Sequence, residues 1–128
     1  MSYYFAKTLE TDFESAVRRA TEVLQAHGFG IISQINVRDT FKNKIGVEFR
    51  DYLILGACNP QLAHEALQIE DKVGTMLPCN VVVQDIGAGK VEVAAIDPVA
   101  SMMAIENPDL KHAAEQVREM LRRVIESL

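Results

Sequence analysis

Two Cys-Asn steps, Cys58-Asn59 and Cys79-Asn80, are the residues of this chain whose types and placement invite chemistry. The first closes the apolar run "LILGACNP" and the second opens a strand-like run within "LPCNVVV". A thiol just ahead of a helix N-terminus meets unpaired N–H groups and the positive end of the helix dipole, which favour a thiolate. Cys58 has such a place, because Asn59-Pro60 reads as a helix start, with Asn as the cap and Pro at the first helical position. The plainer reading makes Cys58 a small apolar filler beside an ordinary cap. Asp97-Pro98 and Asn107-Pro108 favour that reading, since they start helices with no chemistry attached.

Cys79 shares one strand face with Val81, Val83 and Asp85, which points it towards a core. Asn80 shares the other face with Val82, Gln84 and Ile86. It is a pocket or interface residue if that face packs on another subunit, and otherwise a polar group bonded to the preceding loop. If the helix between the thiols makes a parallel crossover, they lie roughly 20 Å apart at ~3.3 Å per residue. A return of the chain through residues 73–78 leaves an adjacent arrangement open. Two thiols alone do not complete a zinc site, which wants four ligands at short paired spacings. His64 is the candidate third ligand of a soft-metal site, against the plainer reading of a surface or half-buried histidine.

The remaining polar residues read as architecture. His27 precedes a helix-ending glycine, where it interacts with the helix C-terminus. His112 lies on the polar side of the last helix, and Asp97 is a cap. Gly28-Phe29-Gly30 stands between helix and strand, the wrong order for a dinucleotide fingerprint. The chain has no nucleophile elbow, Walker motif or HExxH. Catalytic residues and cofactor are therefore unassigned, and whether the protein is an enzyme stays open.

The elements that position these residues follow from periodicity. Tyr3 to Leu9 reads as a strand. Thr11 and Glu14 make a capping box ahead of a helix that carries Phe13, Ala16, Val17, Ala20 and Leu24, and Gly28 closes it in a left-handed cap. Phe29 to Val37 is a second strand, with Ile31, Ser33 and Ile35 on one face, followed by a short helix ending at Gly46. Tyr52 to Cys58 is a third strand, apolar enough to be covered on both faces or sealed by a partner. A helix from Pro60, a loop bracketed by Gly74 and Pro78, and a hairpin turning at Gly87-Ala88-Gly89 come next. A short helix through Met102-Met103 follows; its methionines fill a core or form an adaptable contact surface. The last helix carries the apolar stripe Leu110, Ala113, Ala114, Val117, Leu121, Val124, Ile125 and Leu128. This order predicts an α+β fold of two layers: one mixed five-stranded sheet with helices packed on a face, in a single domain over residues 1–128.

Composition narrows the partners. The 128 residues carry a net charge of -5 and no basic cluster, which argues against nucleic acid and against anionic lipid. No stretch approaches the ~20 apolar residues of a membrane span. The N-terminal "MSYYFAKTLE" has neither a basic leader nor an apolar core, so no signal peptide is expected. Two cysteines make no disulfide framework, and a reducing cytoplasm is the natural location.

The stretches "HGFGIISQINV", "YLILGACNPQLAHEAL", "VGTMLPCNVVV", "VAAIDP" and "ENPDL" resemble the bacterial and archaeal family called domain of unknown function 302, from the first helix to the last. The match falls on Gly28, Phe29, Gly30, Cys58, Asn59, Pro60, Leu77, Pro78, Cys79, Asn80, Asp97 and Pro98. The resemblance implies a compact α+β domain, homodimers and no established activity. Many members carry an acidic residue where this chain has Asn36, which weakens any role needing a carboxylate there.

Two functions are therefore expected to compete. One is a small cytoplasmic homodimer that binds a small-molecule ligand or assists another protein without evident catalysis. The other is a thiol-based redox or soft-metal site built on Cys58 and Cys79, framed by Asn59 and Asn80.

Overall fold

Five strands and five α-helices account for residues 2–128, the part of the chain described by the computed structural model. The strands are β1 (Tyr4–Glu10), β2 (Gly30–Asn36), β3 (Tyr52–Cys58), β4 (Cys79–Gly87) and β5 (Lys90–Ile96). The helices are α1 (Phe13–Ala26), α2 (Val37–Ile45), α3 (Pro60–Ile69), α4 (Pro98–Ser101) and α5 (Pro108–Glu126), with a 3-10 helix over Asp71–Met76. One sheet holds all five strands in the order β1-β5-β4-β3-β2.

Every pairing in that sheet is antiparallel, so the expectation of a mixed sheet is corrected. The reason lies between β3 and β4. A helix between strands commonly makes a parallel crossover, but here the 3-10 helix and Leu77-Pro78 carry the chain back to the end of the sheet where β3 stopped. Ala57 then pairs with Cys79 and Leu55 with Val81.

The pleat divides the residues into two faces. Leu55, Val81, Val83, Val93 and Ala95 are fully buried beneath α1 and α5, which bring Ala16, Leu24, Leu121 and Val124 to the same core. A second, smaller cluster of Ala66, Val73 and Leu110, with Leu77 and Met102 beside it, ties α3 and the 3-10 helix to the start of α5. The opposite face of the sheet carries Tyr4, Ile35, Ile54, Val82 and Ile96 at matching register positions, beside Asn80, Gln84 and Glu92, and Tyr4 and Ile35 are exposed there.

Local chemistry sets the element ends. Asp12, not Thr11, caps α1: its Oδ1 accepts the Ser15 N–H at 2.8 Å, which corrects the capping-box reading. Asn36, Asn59, Asp97 and Asn107 cap α2, α3, α4 and α5 with their own side-chain oxygens. Gly28 lies in the left-handed region at φ 87° after α1, as its place in the sequence requires. Asn36 serves as a cap through Oδ1, a task a carboxylate performs equally well.

Candidate functional site

The end of the sheet where β3 stops and β4 begins is roofed by α3 and α5, and an apolar pocket of about 50 Å³ lies beneath that roof. Its wall includes both cysteines. Cys79 stands opposite Ala57 in the β3–β4 ladder, one position from Cys58, so the adjacent arrangement is the one realised and the wide separation of a parallel crossover is not. Cys58 is half-buried, Cys79 is buried, and neither is in a disulfide.

The two thiols differ in character. Burial pushes the Cys79 thiol from an ordinary value of 9.0 up to about 11, and the neighbouring Cys58 adds to the shift. A buried thiol held protonated at neutral pH is a poor nucleophile. Cys79 therefore behaves as an apolar wall residue, as its strand face implied. Cys58 is the more accessible of the two, at the strand end just before the α3 cap.

Asn59 also lines the pocket. Its Oδ1 accepts the Leu62 N–H at 3.1 Å, which makes it the cap predicted from Asn59-Pro60. Its amide nitrogen comes within 3.2 Å of where a side chain at Gly28 would begin, so the α1–β2 turn packs directly against the start of α3. Phe29, the residue after that glycine, is buried and forms part of the pocket wall.

The four residues singled out in the two Cys-Asn steps do not form one site. Cys58, Asn59 and Cys79 line the pocket under the helices. Asn80 lies on the other side of the sheet, exposed, in a hollow of about 340 Å³ shared with Tyr3, Tyr4, Tyr52 and Glu92. His64 is exposed on α3 and is absent from the pocket wall. Among the described residues no group of three His, Cys, Asp or Glu side chains is placed to hold a metal ion.

Other wall residues were read in the sequence only as apolar helix positions, not as a pocket. Ala63, Ala113 and Ala114 bring two helices together with small side chains, and Met102 closes one side. Alanine carries little signal of its own, and only the crossing of α3 over α5 turns these positions into a cavity. Asp97 was read correctly as a cap: it accepts the Val99 N–H at 3.0 Å and receives the Arg118 Nε–H at 3.0 Å while itself buried.

The model of the family described as domain of unknown function DUF302 matches residues 5–128. A crystal structure of an uncharacterized conserved DUF302 protein from Bacillus stearothermophilus is similar in sequence and fold. It shares 27% identity with this chain over 98% of each, with a TM-score of 0.90. No curated protein matches the chain.

Proposed function

The chain belongs to the DUF302 family, and from that premise we propose that it is a small cytoplasmic binding or accessory protein that works as a homodimer and performs no catalysis. The observation that carries this reading is the uncovered face of the sheet. Both helices of the main core pack on one side. The other side presents Tyr4, Ile35, Ile54, Val82 and Ile96, and among the described residues neither α1 nor α5 covers it; α2 reaches only its edge, through the Phe41–Phe49–Tyr52 aromatic chain. An exposed face rich in apolar side chains marks an interaction surface; here Asn80, Gln84 and Glu92 interrupt it with polar groups that an interface can pair, and a second copy related by a two-fold axis is its simplest cover. A specific interface buries roughly 800 Å² per partner, and a five-stranded face is broad enough to offer it. The unpaired thiols suit a reducing compartment.

Sedimentation of the protein at micromolar concentration tests this. The expected mass is that of a dimer, and Val82→Arg is expected to yield a folded monomer. A parent that is strictly monomeric overturns the dimer reading.

The thiol-based alternative keeps one observation in its favour: Cys58 and Cys79 share a pocket wall. Serine at either position abolishes thiol reactivity or soft-metal uptake under that reading. If both variants behave as the parent does, it is gone.

A further inference from the structure

We propose that the pocket between α3 and α5 binds the apolar part of an uncharged small molecule, a short alkyl chain or a single ring, whose polar end stays beside Asn59 and Cys58. This rests on the reading of the chain as a binding protein and names the class of ligand.

The wall dictates that class. The space of about 50 Å³ is several times what one water needs, roughly 10–15 Å³. A buried water also needs two to four polar partners, and this wall offers almost none. No charged side chain lines the pocket. The thiols of Cys58 and Cys79 are weak donors, and the Asn59 oxygen is already engaged by the backbone of α3. The remaining wall is apolar, from Phe29 and Leu62 to Met102 and Val117. Water held there gains little, so an apolar group that displaces it is favoured.

The space is also framed by parts that keep it open. Ala57 on β3, Ala63 and Ala66 on α3, and Ala113 and Ala114 on α5 face it from three directions, so no large side chain fills it from those positions. It lies where the main core meets the smaller cluster: Ala57 and Cys79 belong to the first, Ala66 and Leu110 to the second. Met102 supplies an unbranched thioether that adapts to the shape of an occupant. A cation is the wrong guest. No carboxylate is present to neutralise it.

The test uses the intact protein, titrated with 1-hexanol while the methyl signals of Met102, Ala66 and Ala114 are followed by NMR. Saturable shifts of those signals are expected. 1,6-Hexanediol has the same length but must bury a hydroxyl, and it is expected to bind about tenfold more weakly, the loss that follows from an unpaired buried hydroxyl. Ala113→Leu and Ala63→Leu fill the space from opposite walls at half-buried positions, and each is expected to abolish the shifts while the solution mass stays unchanged. The proposal is overturned if hexanol produces no saturable shift, if both filled variants bind as the parent does, or if the diol binds as tightly. Saturation of the same signals by Zn²⁺ in place of hexanol also overturns it. The solution mass reads the dimer separately: a dimer that ignores hexanol refutes the ligand class alone, and a monomer that binds it refutes the dimer alone.

Discussion

At the scale of single residues, Cys79 carries a measurable signature of its surroundings. Its pKa in the folded chain is raised above its unfolded value, from 9.0 to about 11. Between those values the unfolded chain has released a proton that the folded chain keeps, so stability falls as pH rises through that window. At 1.36 kcal/mol per pKa unit the loss is about 2–3 kcal/mol. Urea unfolding across the alkaline range is expected to show this fall in the parent and to lack it in Cys79→Ala. At neutral pH a thiol reagent is expected to modify Cys58 in the native protein and Cys79 only after unfolding. Equal and rapid reaction of both would show that the pocket is not dry. The strand face of Cys79 and the opposite face of Asn80 were legible, because alternation along a strand is a local property. That Cys58 and Cys79 share one wall was not, because it depends on how residues 71–78 return the chain, and both routes have the same length.

At the scale of elements, boundaries were legible wherever a cap or a glycine punctuates the chain. Asn59-Pro60, Asp97-Pro98 and Asn107-Pro108 each start a helix where the pattern placed it. Strand β2 was legible as a strand but misread in its facing. Ile31 pairs with Ala57 and Ser33 with Gly56, so a bulge absorbs Ile32. Ile31 therefore packs on the core, while Ser33 and Ile35 turn to the other face. A bulge inserts one residue and reverses every later side chain, and nothing in "GIISQIN" announces it. The partner strand holds the complementary clue in Gly56. A side chain there would clash with Ser33 Oγ and meet Pro78 Cγ at 2.8 Å. The serine hydroxyl can rotate away, but the proline ring is fixed. Gly56→Ala is thus expected to destabilise the fold by ~1–3 kcal/mol, the usual cost of overpacking, as read from the denaturant midpoint. Ser33→Ala in the same chain should recover only part of that loss. Full stability in Gly56→Ala would show that β2 and Pro78 do not close on β3 as described.

At the scale of the whole molecule, the α+β class was legible because helical and strand periods alternate cleanly, whereas strand direction was not. An antiparallel sheet with helices on one side leaves its second side to water or to another surface. If that surface belongs to another copy, stability becomes a function of protein concentration. The melting temperature is expected to climb as the parent is concentrated from micromolar to hundreds of micromolar, and to stay level in Val82→Arg. A concentration-independent melt in the parent would separate folding from association. The family match spans residues 5–128, nearly all of this architecture.

The pocket's place between two separately packed clusters bears on how such a protein diversifies. Leu121, Val124 and the sheet hold the main core together without Met102, Leu62 or Ala63. Those three can change size or shape without touching the larger cluster. Under the proposed ligand reading, a lineage alters what is bound by editing the roof and leaves the foundation untouched.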